Sequence, residues 1–298
     1  MKKQLFTLLF LACAGAVSAQ QLQTSSMYDM QGVLHNPSLA GVGQSSVGAS
    51  YRTQWSSISG SPKTATVYGS FDLPSLNIGL GGYIYNDKTG PTSRTGVQLA
   101  FAKHIAVGND ATFSLGLEAR GQQYSIDKAK LTESLGSDPA IGASGDNKFV
   151  FDAGFGISYT GKKLQLGASV SQLVQSKLDF YSGTGTRSEQ ARMYRHYYFH
   201  GSYHWNVDGQ TVLTPNFLVI YLPNAPTEYQ FGARVEHKEI FFWGVGYRLK
   251  QSWMLSAGVH VNKKFTIGYS FDIYQTPISI YDAGANAHEI MLKCNLSK

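Results

Sequence analysis

The feature that most constrains this chain is an alternation of apolar with small or polar residues, with a period of two, in segments about ten residues long. In the segment KFTIGYSFDIY, residues 264–274, Phe, Ile and Tyr alternate with Thr, Gly, Ser and Asp. The same alternation recurs in residues 113–120, 149–159 and 229–236. In a β-strand this pattern places the two sets on opposite faces. It is typical of a membrane barrel, with one face to lipid and one to the lumen, and it also fits a sheet of a soluble secreted β-sandwich.

The length and number of these segments favour the membrane barrel. Membrane strands need ~9–11 residues, whereas strands of soluble proteins average ~5–6. Fourteen strands are predicted, most of them about ten residues long, at 46–56, 63–73, 76–87, 93–104, 111–123, 148–160, 163–173, 193–206, 210–221, 227–238, 239–249, 252–261, 264–275 and 287–297. The sequence therefore predicts an all-β protein, a transmembrane antiparallel β-barrel of about fourteen strands.

Loop lengths give a second indication. Short connections follow the even-numbered strands, whereas longer ones, at 124–147, 174–192 and 275–287, follow several odd-numbered strands. The connection at 249–252 is a short exception among the latter. Outer-membrane barrels combine short periplasmic turns with longer outer loops. With an even number of strands, both termini are predicted on the periplasmic side.

The N-terminus has the three parts of a secretory signal peptide. Lys2 and Lys3 precede a short apolar run, and Val17-Ser18-Ala19 forms a small-x-small cleavage site. Cys13 raises lipidation as an alternative, but the residue three before it is not the usual Leu. We therefore divide the chain into a signal peptide (1–19), an N-terminal periplasmic or plug segment (20–45) and an outer-membrane β-barrel (46–298).

Composition limits the possible functions. Charged residues make up 15% of the chain, below the ~25% usual for soluble proteins, while Gly (32), Tyr (18) and Phe (16) are abundant. Removing Lys2 and Lys3 lowers the formal charge from +6 to +4, and no Lys/Arg run suggests nucleic-acid binding. Cys294 would be the one cysteine of the mature chain, which excludes an internal disulfide and a cluster of thiolate metal ligands.

Charged and imidazole side chains at inward-facing strand positions are the candidates for chemistry. They could line a pore or hold a plug, but we favour an ion-pair lattice that satisfies a polar lumen. The set comprises Arg52, Asp72, Glu118, Arg120, Asp152, His200, His204, Arg234, Glu236, Arg248, His260 and Asp272. His200 and His204 would lie about 13 Å apart on a strand, too far to share a metal.

No enzyme site is predicted. Ser256 and His260 share a strand face that points inward, and no catalytic, cofactor or metal motif stands out. The sequence GLGG, residues 79–82, is a Gly cluster within a strand, which we interpret as easing barrel curvature or making room for a plug rather than as a phosphate loop.

Three stretches stand out in this order along the chain: HNPSLAG at 35–41, YRTQW…SGSPKT at 51–64 followed by Asp72, and YDAGANAHEIML at 281–292. Together they resemble the PorP/SprF family of type IX secretion system membrane proteins from Bacteroidota. The residues that carry the resemblance, as family-motif or partner-binding candidates, are Asn36, Pro37, Gly41, Tyr51, Arg52, Gln54, Trp55, Pro62, Lys63, Thr64, Asp72, His288 and Glu289.

The resemblance implies a non-enzymatic outer-membrane component of the type IX secretion and gliding machinery, without cofactors. Its expected partners are a periplasmic ring lipoprotein, a periplasmic scaffold protein and a secreted adhesin, beside outer-membrane lipid and no nucleic acid. The alternative is an outer-membrane channel or transporter for small solutes. Because a fourteen-stranded lumen is too wide for wall side chains to fill, we also expect residues 20–43 to fold into it or cap its periplasmic end, with Asn36-Pro37 turning the chain.

Overall fold

The computed structural model describes residues 25–135, 147–178, 192–223, 225–275, 279 and 286–296. The predicted signal peptide and Cys13 lie outside these residues. The strands are β1 (Ser46–Gln54), β2 (Lys63–Leu73), β3 (Ile78–Thr89), β4 (Thr92–Val107), β5 (Ala111–Ile126), β6 (Asn147–Thr160), β7 (Leu164–Ser171), β8 (His196–Tyr203), β9 (Trp205–Asn206), β10 (Thr211–Tyr221), β11 (Glu228–His237), β12 (Phe241–Arg248), β13 (Ser252–Val261), β14 (Phe265–Tyr274) and β15 (Ala287–Asn295).

The strands form a closed antiparallel barrel in which each pairs with its neighbours along the chain. The barrel closes between β1 and β15, from Ser46 opposite Asn295 to Gln54 opposite Ala287. β8 and β9 are one barrel strand interrupted at His204, since both pair with β10. The predicted fourteen-stranded barrel is therefore confirmed. Among the described residues, no helix is both long and apolar enough to cross a membrane.

The two faces of the barrel differ as the alternation predicts. The outer face carries exposed apolar and aromatic side chains, including Val67, Leu99, Leu117 and Phe149. The inner face carries buried polar and charged side chains, as the pattern of β14, residues 265–274, shows. Apolar exposure on every side of a closed barrel is the arrangement of a protein surrounded by lipid. The soluble β-sandwich considered from the sequence is therefore wrong.

Placing a charge on the outer face tests this arrangement. Leu117 lies near the middle of β5 and is 59% exposed. We expect Leu117→Arg to lower the free energy of unfolding in a bilayer by about 2–4 kcal/mol, the depth-dependent cost of arginine near the membrane midplane. The matched control is Val207→Arg, because Val207 is 57% exposed but lies in the turn after β9. Equal stability of the two variants in refolding titrations into vesicles would contradict a lipid-facing Leu117.

Short connections lie at one end of the barrel, which we call the short-turn end, and longer ones at the opposite, long-loop end. The short-turn end carries the connections 74–77, 108–110, 161–163, 207–210, 238–240 and 262–264, together with the start of β1 and the end of β15. The long-loop end includes residues 55–62 and, after β5, helix α1 (Lys128–Leu135). The alternation of short and long connections is therefore present.

Two details differ from the prediction. The connection of β3 to β4 contains Gly90 and Pro91 alone, a second short connection at the long-loop end. Gly90 has a φ of 56°, a conformation that glycine adopts without strain, and this permits the tight turn. The predicted strand 193–206 begins later, at His196, and is interrupted at His204. The predicted loops 124–147, 174–192 and 275–287 each lie partly outside the described residues.

Candidate functional site

The interior of the barrel contains the chain's own residues 25–43, which we call the inner segment. It folds as three short 3₁₀ helices, Tyr28–Met30, Gly32–Leu34 and Pro37–Leu39. Asn36 caps the third helix, because its Oδ1 accepts a hydrogen bond from the backbone N–H of Ser38 at 2.9 Å. Pro37 occupies the first helical position, where its missing N–H leaves no bond unmade. Short turns of this kind let the segment change direction repeatedly within a narrow space.

Glycines on the inner wall make room for this segment. A Cβ atom on Gly116 would lie 2.1 Å from the backbone nitrogen of Ser38, and one on Gly156 would lie 2.1 Å from Oδ1 of Asn36. Gly79 is as tightly placed against Ala40, within the GLGG sequence that was interpreted as room for a plug. No other residue type fits at such distances, because every other side chain begins with Cβ. The glycines of β3, β5 and β6 therefore form the bed on which the inner segment lies.

Asn36 is the most extensively bonded residue of the inner segment. Its side-chain nitrogen lies 3.1 Å from the carbonyl oxygen of Ile157, 3.4 Å from that of Ala168 and 2.9 Å from Nε2 of His200. These partners belong to β6, β7 and β8, so one side chain joins three barrel strands. Burial, reinforced by the imidazole of His200, holds the pKa of the adjacent His35 well below its usual range. His35 is therefore a neutral ring that packs edge-on against His200, with the two ring centroids 4.9 Å apart.

Removing the amide of Asn36 should loosen the inner segment. We expect Asn36→Ala to weaken its docking by about 1–3 kcal/mol, because the carbonyl groups of β6 and β7 and the Ser38 N–H lose a buried partner. Limited proteolysis of the folded barrel would then cleave within residues 25–43 faster than in the parent protein. Gln44→Ala is the control, because Gln44 is exposed and makes a single 3.3 Å bond to the Leu296 carbonyl. Equal cleavage of both variants would contradict the anchoring role.

A buried ionic cluster holds the start of the inner segment. Arg52 contacts Asp272 at 2.5 Å and Glu289 at 3.3 Å. Ser26 joins all three, donating from Oγ to Asp272 at 2.6 Å and from its backbone to Glu289 at 2.9 Å, and accepting from Arg52 at 2.8 Å. Arg248 adds a second cation 3.6 Å from Asp272. The cluster joins residues of β1, β12, β14 and β15 and holds the segment near the seam where the barrel closes.

The predicted ion-pair lattice is present, and part of it has the second role of holding the inner segment. Away from the segment, Glu118 pairs with Arg120 at 3.1 Å and accepts a bond from Ser171 at 2.7 Å. On the segment itself, Asp29 pairs with Arg234 of β11 at 3.4 Å. Sequence reasoning treated a lattice and a plug-holding role as alternatives, but the side chains of the lumen combine the two.

The structure places the family-motif candidates in five different regions. Asn36, Pro37 and Gly41 belong to the inner segment, where Gly41 donates its N–H to Ser70 at 2.8 Å. Arg52 and Glu289 meet in the ionic cluster. At the long-loop end of the β1–β2 hairpin or next to it lie Gln54, Trp55, Pro62, Lys63 and Thr64. Tyr51 and His288 lie on the outer face, and Asp72 lies near the short-turn end, bonded through its N–H to Ser45 at 2.9 Å.

Two cavities lie on opposite sides of the inner segment. One, of about 40 Å³, is on the long-loop side, between Tyr28 and Leu34 of the segment and Thr66 and Leu218 of the wall. The other, of about 340 Å³, is at the short-turn end and is lined in part by Gln44. Within the described residues, no group of three or more His, Cys, Asp or Glu side chains is arranged to hold a metal ion. The barrel interior is thus divided by the segment.

Comparisons with known proteins identify the family. The computed structure is similar to CymD, a monoaromatic hydrocarbon channel, with a TM-score of 0.52 and 10% identity, covering 90% of this chain and 93% of that one. For the toluene transporter TodX of P. putida the TM-score is 0.47, with 11% identity, covering 88% and 93%. The likeness to CymD shows the barrel fold alone. No curated protein matches the sequence. A sequence profile described as type IX secretion system membrane protein PorP/SprF matches residues 17–294, and the chain belongs to that family.

Proposed function

We propose that this barrel is a non-enzymatic component of the type IX secretion and gliding machinery that acts by protein–protein contact. The family supports the machinery, and the inner segment supports the mode of action. The observation that carries the proposal is the occupied lumen, in which the Asn36 amide bonds three strands and the Gly116 backbone is pressed against Ser38. A barrel filled in this way offers its two ends, rather than an open pore, to other molecules.

The short-turn end is proposed to face the periplasm. Both ends of the barrel sequence lie there, where the Leu296 N–H bonds the Ser45 carbonyl at 2.8 Å. A chain that enters the periplasm behind a cleaved leader (1–19) and inserts as hairpins leaves both termini on that side. This end would contact the periplasmic ring lipoprotein and the scaffold protein.

The long-loop end is proposed to face the exterior and to receive the C-terminal signal domain of an exported adhesin. The β1–β2 hairpin offers a structured surface there. The Trp55 N–H bonds the Asn286 carbonyl at 2.7 Å, and the Thr64 hydroxyl bonds Asp87 at 2.8 Å. Outer loops of barrels held by a rigid scaffold are common binding surfaces.

Deletion of the gene tests the proposal. We expect adhesin to be lost from the cell surface while uptake of small solutes through the outer membrane stays unchanged, and re-expression of the parent barrel should restore display. The readouts are surface labelling of the adhesin and the rate of entry of a small hydrophilic dye. Normal adhesin display in a strain without paralogues would overturn the proposal.

A channel for small solutes is the second candidate. The cavities on both sides of the inner segment favour it, because displacement of that segment would connect them. Purified parent protein in a planar bilayer separates the two functions. A stable open conductance would support transport, whereas the absence of conductance would support the protein–protein contact function.

A further inference from the structure

The cavity at the short-turn end, which we call the vestibule, has the size of a ligand site. Its volume is about 340 Å³, and its floor is the inner segment. Ligand pockets commonly have volumes of about 300–1,000 Å³ and a few convergent polar groups. Four strands that meet at the barrel seam, β1, β2, β14 and β15, contribute to its wall through Ser46, Tyr68, Thr266 and Lys293.

The charged groups that line the vestibule are of both signs. Asp29 pairs with Arg234 at 3.4 Å, whereas Glu236 lies 3.8 Å from Nε2 of His260, beyond hydrogen-bond distance. Lys293 has no ion pair and no side-chain hydrogen bond within the part of the chain that the structure describes. Lys293 is therefore a cation of the vestibule that is available to an anion.

Tyr68 supplies a second available donor. Its side chain is 4% exposed, and its hydroxyl has no hydrogen-bond partner among the described residues. A buried hydroxyl without a partner is unfavourable, because it has lost its hydrogen bond to water without gaining another. A ligand that accepts its hydrogen bond would remove that cost.

Gly48 brings these two donors to the same place. It pairs with Tyr68 on one side and with Lys293 on the other. A Cβ atom on Gly48 would lie 2.5 Å from the Tyr68 hydroxyl, so the ring lies across β1 in the space that a side chain would occupy. Tyr68 and Lys293 therefore lie on either side of one glycine, on the same inner face.

We propose that the vestibule binds an oxyanion, a carboxylate or a phosphate group, between the Lys293 ammonium and the Tyr68 hydroxyl. Hydrogen bonds from an ammonium to an anionic oxygen are shorter and stronger than neutral ones. Three turns at the short-turn end carry Lys163, Lys238 and Lys264, and none of these side chains forms an ion pair within the described ranges. Their positive field favours the approach of an anion to the mouth. The proposal does not depend on the proposed function.

Residue-specific acylation of the full-length barrel in detergent tests the proposal. A small amine-acetylating reagent is applied, and the modification rates of Lys293 and Lys264 are read by mass spectrometry. The probes are inorganic phosphate and N-acetylglutamate α-amide, with N-acetylglutamine amide as the neutral control. We expect an oxyanion to slow modification of Lys293 at least about fivefold, while the exposed Lys264 keeps its rate.

The outcome with each probe identifies the source of the anion. Protection by phosphate alone points to a phosphate group, protection by the glutamate compound alone points to a polypeptide carboxylate, and either supports the site. Tyr68→Phe should raise the oxyanion concentration needed for half-maximal protection about tenfold, the effect of one hydrogen bond to a charged group, whereas Tyr203→Phe, at an exposed outer position, should not. No protection, equal slowing of Lys264, or an unchanged half-maximal concentration in Tyr68→Phe would overturn the proposal.

Discussion

Replacing Gly116 by valine is expected to expel the inner segment and open the lumen. The Cβ of any residue at this position would lie 2.1 Å from the Ser38 nitrogen and 2.4 Å from the Pro37 carbonyl carbon. Both of these are backbone atoms, so no change of rotamer relieves the clash. Valine is well suited to a β-strand. The backbone pairing of β5 with β4 and with β6 does not depend on which side chain stands at position 116. The segment is therefore expected to move while the barrel persists.

Conductance and proteolysis together measure this effect. We expect Gly116→Val to give a stable conductance in planar bilayers where the parent protein gives none. Proteolytic cleavage within residues 25–43 should become at least about tenfold faster, because the segment loses about 1.4 kcal/mol or more of docking free energy. Gly156→Val should act alike, because its Cβ would meet Asn36. Gly209→Val is the matched control, since nothing lies within 4 Å of a Cβ there. A Gly116→Val barrel that gives no conductance and resists protease would contradict the inference that the inner-wall glycines make room for the inner segment.

Most of the barrel could be predicted from local sequence, because the period of a strand is a property of a few consecutive residues. The predicted strands 63–73 and 252–261 coincide with β2 and β13, and the other strand ends differ by a few residues. The exceptions are short-range too. The tight turn at Gly90 depends on a single backbone conformation, and the interruption at His204 lies beside Pro215 of β10, which has no backbone N–H to donate to a sheet.

The path of the inner segment could not be predicted, because its contacts are remote in sequence. Asn36 meets His200, 164 residues away, and Ser26 meets Asp272, 246 residues away. Nothing in the HNPSLAG stretch itself specifies such partners. Gly116 and Gly156 offered a usable signal, since glycine is poorly suited to a strand unless another backbone approaches closely. The GLGG sequence predicts such a close approach at Gly79, but no Gly cluster marks the other two positions.

Removal of Arg52 is the substitution expected to destabilise the barrel most among the charged positions. Arg52 is the one group that contacts Asp272, Glu289 and Ser26 together. Without it, Asp272 keeps the more distant Arg248, at 3.6 Å, which also pairs with Glu228 at 3.4 Å, and Glu289 loses the ion pair that it forms with Arg52 at 3.3 Å. Breaking a buried ion pair by deleting one partner costs about 3–5 kcal/mol, because an uncompensated charge stays behind. Arg52→Met keeps the length of the side chain and removes its charge.

The stability lost in Arg52→Met is measured by thermal unfolding of the detergent-solubilised barrel, followed by heat-modifiable gel migration. An exposed ion pair provides the control. Lys263 and Glu239 are paired at 2.5 Å with side chains 77% and 63% exposed, so Lys263→Met should change stability by less than about 1 kcal/mol. Adding Asp272→Asn to Arg52→Met should restore part of the stability, because one buried charge is then removed. Since Ser26 also loses a partner, cleavage near residue 26 should increase in Arg52→Met. A variant as stable as Lys263→Met would show that water, rather than Arg52, compensates these carboxylates.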